Sequence, residues 1–298
     1  MYLMVDVVGN HMGIPQDYNY STVVPFNNPS YYHSCKYCPH DDPDQQCWIE
    51  DFSNQTQVEL CQLDGLPDLD QSNPFVANTL VSWVKQLIAN FSIDGLRVDT
   101  VAEVHPDFWT SFQQAAGIYA VGEVFNGDVN YVSPYQHVLT SLLNYPLYFP
   151  ISTSFMQRQS MFALSQQLKA NNAAFKDVTV LGVFADNHDN PRSLSIRNDQ
   201  ILYKAELTFT LMTQGIPIIY YGTEQGALCA SLLYCLCECV TLTYHTMCSA
   251  MWLQHTLVPT RLTIDCHCGC LASRPIPHCT HSFRRYRLFR AMMSSRVA

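Results

Sequence analysis

The stretch Ile93-Asp94-Gly95-Leu96-Arg97-Val98-Asp99 limits this chain more than any other. It is a short aliphatic run that closes on an arginine and a carboxylate two residues apart. In a strand, alternation puts Arg97 and Asp99 on one face, about 7 Å apart along the backbone. A guanidinium at that range holds a carboxylate ionised at neutral pH. Taken alone, the stretch is explained equally well by a structural salt bridge at a strand end. Other segments with the same design shift the balance.

In chain order, Tyr2–Val8 reads as a strand, with Asp6 near its C-terminal end and Asn10 and His11 just beyond. Residues 14–70 are rich in Tyr, Asn, Asp and Pro and show no clear helical period. That is too long for a plain loop, so a small inserted subdomain is expected. An amphipathic helix follows over 74–91, with Val76, Leu80, Trp83, Val84, Leu87, Ile88 and Phe91 at three- and four-residue spacing. Asn73-Pro74 supplies its start signal. Beyond strand 93–99 come a helix over 106–116, a strand over 118–122 closing on Glu123, and a strand over 144–149. A helix over 158–171, a strand over 178–184 running into Asp189, a helix over 199–213 and a strand over 216–221 complete the readable part. Alternating strands and helices imply a parallel sheet with right-handed crossovers. Carboxylates at the same ends of successive strands, here Asp99, Glu123 and Asp189, are what an α/β-barrel active site needs.

Composition breaks near residue 227. The last 72 residues hold nine of the 13 cysteines, seven arginines, no lysine and a single glycine, Gly269. They keep neither period for long and carry few turn signals. Cys266-His267-Cys268-Gly269-Cys270 lacks the paired spacing of common zinc sites. The region 227–298 is therefore expected to be a Cys-rich tail that is not a folded domain; a disulfide-rich appendage and a metal module are the competing readings. With 16 basic against 25 acidic residues, a nucleic-acid surface is not expected. No run of 18 apolar residues suggests a membrane span, and no signal peptide is read before the first strand.

Two smaller constellations complete the reading. Asn10, Glu59 and Asp68 are oxygen donors that suit a hard cation, calcium above zinc, although solvated surface acids explain the spacing as well. Cys47 and Cys61, 14 residues apart, suit a disulfide in an oxidising compartment, and Cys35 with Cys38 is a second candidate pair. Three carboxylates at one mouth suit glycoside hydrolysis, in which an ionised one attacks and a protonated one donates to the leaving oxygen. Arg97 favours ionised Asp99, and Glu123, after an apolar strand with no adjacent cation, fits the acid/base.

Val5-Asp6-Val7-Val8-Gly9-Asn10-His11, Gly95-Leu96-Arg97-Val98-Asp99, Gly122-Glu123-Val124 and Asn187-His188-Asp189 resemble, in order, the four short signatures of the α-amylase family, glycoside hydrolase 13. Leu66-Pro67-Asp68-Leu69-Asp70 resembles its fifth. The wording Asn187-His188-Asp189-Asn190-Pro191-Arg192 with Gly215–Tyr220 is closest to secreted fungal α-amylases, and the resemblance covers about residues 1–226. It implies endo-acting retaining hydrolysis of α-1,4-glucans such as starch. Asp99 then matches the nucleophile, Glu123 the acid/base and Asp189 the third acid. Arg97 supports the nucleophile, His11 and His188 bond the sugar, and Asp6 lies beneath it. Asn10, Glu59, Asp68 and the backbone carbonyl of Glu103 match Ca2+ ligands, and Cys47 with Cys61 matches a disulfide.

The implied fold is a (β/α)8 TIM barrel, incomplete because strands one and two are missing. Residues 1–13 match barrel strand three and its loop, 14–70 the inserted domain B, and 71–226 strands four to eight. Such a barrel has open edges and exposed core. The resemblance also implies an extracellular monomer acting on α-glucan, with no nucleic-acid or membrane partner. Three departures stand out. Ala102 and Glu103 replace a Lys-His pair that contacts leaving-group sugars, the Cys61–Asp68 interval is short, and Ser133 and Phe175 stand where a second disulfide would align. A truncated or mis-translated inactive fragment, a glucan-binding pseudoenzyme and an α-glucosidase or transglycosylase are the alternatives.

Overall fold

The computed structural model describes residues 1–15, 19–34 and 47–227. The Cys35–Cys38 pair and the tail with Cys266–Cys270 lie outside the described residues.

Six parallel strands follow one another in sequence order. Strands β1 (Met4–Val8), β2 (Gly95–Asp99), β3 (Tyr119–Gly122) and β4 (Ser141–Leu142) form one sheet, and β5 (Gly182–Val183) and β6 (Ile216–Pro217) form a second. A parallel bridge between Leu143 and Gly182 joins the two sheets. The helices between strands are α1 (Gln55–Leu60), α2 (Pro74–Phe91), α3 (Pro106–Ala116), α4 (Val129–Val132), α5 (Tyr145–Phe155), α6 (Met161–Ala174), α7 (Ser193–Ile196) and α8 (Gln200–Met212). This alternation is the expected α/β arrangement. Among the described residues the sheet does not close into a barrel, and β1 and β6 are its outer strands. Both edges expose apolar side chains, Leu3 and Met4 on one and Ile216 and Ile219 on the other.

The long helix α2 begins as expected. The Asn73 side chain accepts from Phe75 N, Pro74 occupies the first turn, and Ser92 ends the helix in a left-handed conformation. Val76, Leu80 and Val84 are buried against the sheet, whereas Trp83 and Phe91 stay exposed, so the apolar stripe is narrower than its spacing suggests. The main core gathers Leu96, Val98, Trp109, Phe112, Ala120 and Leu142 between the first sheet and its helices.

Several expected elements differ. Residues 144–149 form no strand; they are the first turn of α5, with Asn144 accepting from Leu147 N and Pro146 in the first turn. An apolar run read as β is overridden by an Asn cap followed by proline, and the strand is the pair Ser141–Leu142 just before it. Of residues 178–184 only Gly182–Val183 pair, because Asp177 caps a 3-10 turn over Val178–Val180. In the last strand Ile216 and Pro217 pair, and Ile218 N donates to Val183 O at 2.7 Å. Between β1 and α2 the chain is not devoid of helix, since α1 lies there. Antiparallel bridges His11–Asp68 and Tyr32–Leu69 carry this excursion back to the end of β1.

Cys47 is disulfide-bonded. The Cys47 and Cys61 backbones are adjacent, with Gln62 N donating to Cys47 O at 2.6 Å.

Candidate active site

Strand register assembles the site. Asp6 is paired with Arg97 and Val8 with Asp99 across β1 and β2, while Val98 is paired with Gly122 across β2 and β3. Glu123 therefore emerges beside Asp99. A glycine is required just before it, because a Cβ on Gly122 would stand 2.5 Å from Leu139 and 2.9 Å from Val101. The loop after β5 carries His188 and Asp189. Asn187 shapes that loop, its Oδ1 accepting from Asp189 N at 3.1 Å and Asn190 Nδ2 at 2.8 Å.

Arg97 is the hub. Its Nη1 donates to Asp99 Oδ1 and, at 3.0 Å, to Asp6 Oδ1. Its Nη2 lies 3.0 Å from Glu123 Oε2 and 4.0 Å from Asp189 Oδ2. The Glu123 contact is off the hydrogen-bond line, so it is a Coulomb contact between buried groups. One positive charge thus faces four carboxyl groups, and the acids divide. Burial raises Asp99, but Arg97 outweighs it with a charge and a hydrogen bond, and the net pKa is lowered. Glu123, 7% exposed, is raised to about 8 chiefly by burial, with Arg97 opposing and Asp99, Asp189 and Glu103 adding to the rise. At neutral pH Asp99 is ionised and Glu123 holds its proton. His188 Nε2 stands 3.2 Å from Asp189 Oδ2. Burial lowers the pKa of His11 against the pull of Asp99, which leaves a neutral ring beside the nucleophile candidate.

A second cluster forms where the chain leaves β1. The Asn10 side chain lies 3.0 Å from Asp68 Oδ1 and 3.1 Å from the Glu103 carbonyl. With its amide nitrogen toward them, Asn10 donates to both. With its amide oxygen there, three oxygens converge with no hydrogen between them, an arrangement that a hard cation relieves. This donor set fits calcium. Burial pushes both Asp68 and Glu103 up to about 7. Glu59 Oε1 accepts from Gln55 Nε2 at 2.9 Å, and Gln55 also donates to the Ala102 carbonyl at 2.9 Å. Among the described residues no three His, Cys, Asp or Glu side chains are placed together to hold a metal ion, so any ion site here depends on the amide and the carbonyl.

Two contacts were not anticipated. His33 Nδ1 lies 2.6 Å from Asp68 Oδ2 and its Nε2 lies 3.4 Å from Asp70. No sequence signal pointed to His33. Tyr145 reaches Glu123 Oε1 at 3.3 Å, and the Asn144-x-Pro146 helix start hidden in the supposed strand was the signal for its position.

Residues 1–233 match the protein-family model for the α-amylase catalytic domain. The chain belongs to the α-amylase family. It is 47% identical over 234 residues to Alpha-amylase 1 of Lipomyces kononenkoae, an alignment covering 76% of this chain and 36% of that protein. Identity to Alpha-amylase 2 of Schwanniomyces occidentalis is 41%, over 76% of this chain and 44% of the relative. Among solved structures, the α-amylase from Malbranchea cinnamomea superposes with a TM-score of 0.69 at 39% identity, covering 76% of this chain and 47% of that one. The chain thus spans less than half the length of these α-amylases. The matched region contains every α-amylase signature quoted above, including the two clusters just described.

Proposed function

We propose that this site performs endo-acting, retaining hydrolysis of α-1,4-glucosidic bonds in starch, glycogen and related glucans. The observation that carries the reading is the opposite displacement of two carboxyl groups around one guanidinium. Asp99 is driven toward its anion and Glu123 toward its acid form, the division of labour a retaining pair requires. Both are held on Arg97, which suits the roughly 5–5.5 Å spacing of retaining pairs rather than the wider spacing of inverting ones.

In the first half-reaction the Asp99 carboxylate attacks the anomeric carbon, and Glu123 gives its proton to the glycosidic oxygen, which leaves as the hydroxyl of the released chain. In the second, water gives a proton to Glu123 and attacks the same carbon, which frees Asp99. Asp189, backed by His188, steadies the distorted sugar, and His11 and His188 hydrogen-bond it. Asp6 braces Arg97. Asn10, Asp68 and the Glu103 carbonyl would hold Ca2+, with Glu59 joining them on release from Gln55; the cation would supply positive charge tying the excursion to the turn after β2. Six strands in sequence order fit strands three to eight of a (β/α)8 barrel, with 14–70 as the inserted domain. Fungal relatives support an extracellular setting and an α-glucan partner. No helix among the described residues is long and apolar enough to cross a membrane.

The test is hydrolysis of a blocked maltooligosaccharide, following the anomer first released by NMR. Release of the α-anomer, lost in Glu123→Gln, is expected. Release of the β-anomer would overturn retention, and binding without turnover would overturn hydrolysis. Turnover confined to chain ends of short oligomers would move the reading to an α-glucosidase.

A further inference from the structure

The start of α5 is tied to both neighbouring strands. Leu143 N donates to Gly122 O, Asn144 N to Gly182 O and Tyr145 N to Leu143 O, each at 2.8 Å. Tyr145 is fully buried, its ring packed against Phe125 at 4.5 Å and Phe184 at 5.1 Å between centroids. The ring cannot swing, so its hydroxyl is a fixed point. That hydroxyl accepts from Asn187 Nδ2 at 2.9 Å and donates to Glu123 Oε1 at 3.3 Å.

The two oxygens of Glu123 therefore differ. Oε2 accepts from Thr100 N at 3.4 Å and stands 3.0 Å from Arg97 Nη2. Oε1 has the Tyr145 hydroxyl beside it. The other charges facing Glu123 are Arg97 and Asp99 from β2, Glu103 from the turn after it, and Asp189 from the loop after β5. Of these, Asp99 also shares a side-chain hydrogen bond with Glu123.

We propose that Tyr145 is a positioning residue for Glu123: its hydroxyl, fixed by Asn187, holds Oε1 in one place through both half-reactions and ties the acid/base to the loop carrying Asp189. This rests on the hydrolytic reading above. After Oε1 has lost its proton to the glycosidic oxygen, Tyr145 donates to it, so the carboxylate keeps its plane until water returns a proton. Burial raises Tyr145 itself well above the usual phenol range, so it remains a donor throughout.

Tyr145→Phe tests this, because the ring and its packing are kept and only the hydroxyl goes. A misaligned acid lowers kcat by about 10- to 100-fold while KM changes little. Loss of a donor to the ionised form raises the Glu123 pKa, so the alkaline limb of kcat/KM moves to higher pH. An unchanged kcat and an unmoved limb in Tyr145→Phe would overturn the proposal and leave Tyr145 as packing alone. The carboxyl carbon of Glu123, titrated by 13C NMR with Glu123→Gln for assignment, separates the two readings. If the parent chain does not hydrolyse glucan but the Glu123 titration shifts in Tyr145→Phe, hydrolysis falls and the tie stands. If the titration does not shift, the tie falls whatever the activity.

Discussion

Two acidic clusters share the turn Val101–Glu103, and they neutralise buried negative charge in opposite ways. The cluster of Asp6, Asp99, Glu123 and Asp189 contains its own cation, Arg97, whose guanidinium side chain is only 13% exposed. Among the described residues the cluster of Asn10, Asp68 and the Glu103 carbonyl contains no arginine or lysine; His33 contacts Asp68 and His11 contacts Asn10. The first is organised by the covalent chain and needs nothing from outside. The second is satisfied by the Asn10 amide nitrogen in one orientation and open to a cation in the other. Reacting groups are thus built on a permanent charge, and the neighbouring support is conditional.

The comparison breaks most severely at Arg97. Replacing it by Leu leaves four carboxyl groups without their cation, and losing one partner of a buried ion pair costs about 3–5 kcal/mol. A matching fall in the urea midpoint is expected, together with loss of turnover. A chain as stable as the parent would show that protonation alone suffices there. The second cluster is predicted to respond to ions instead. Saturating Ca2+ at about 100 times Kd adds about 2.7 kcal/mol, and a chelator removes it. Asp68→Asn should abolish most of this difference in melting temperature, while Glu59→Gln, whose carboxylate is held by Gln55, should keep it. Equal loss in both variants would return Glu59 to the ligand set.

Much of the first cluster was legible because its information is local. Arg97 and Asp99 share a strand face by alternation alone, and apolar runs ending in Glu123 and Asp189 mark strand ends without any tertiary knowledge. Residues Tyr145 and His33 were not legible, for a different reason. Tyr145 meets Glu123 only because β4 is two residues long and Asn144 caps a helix at once, and an apolar run of that length reads as strand. His33 reaches Asp68 across 35 residues of excursion with no period. The short pairings of β5 and β6 were overestimated because hydrophobic runs mark burial, not ladder length.

The rate should be bell-shaped in pH, which sharpens the contrast inside the first cluster. Asp99 must be ionised, so activity falls as pH drops through its lowered pKa, below the usual 3.8. Glu123 must be protonated, so activity falls as pH rises through about 8. Measured kcat/KM should show a broad plateau between these limbs. A single limb near neutral pH would mean that the two acids do not divide as the geometry requires.

Glu206, a buried acid outside both clusters, shows a third way to neutralise charge. It lies on α8, fully buried, and neither carboxyl oxygen has a well-directed hydrogen bond among the described residues. Burial raises it from 4.5 to about 8, with Ser193 opposing and Asp186 adding to the rise. A raised carboxyl stabilises the fold most below its unfolded pKa, and that contribution is lost as pH climbs through the folded value. Glu206→Gln carries no charge at any pH. It should melt with the parent near pH 4.5 and increasingly above it toward pH 8, by about 2–4 °C for each kcal/mol recovered in a domain of this size. A difference constant across that range would mean that Glu206 does not titrate in the fold. A proton would then not be what neutralises it, and the division into arginine, added cation and proton would reduce to the first two.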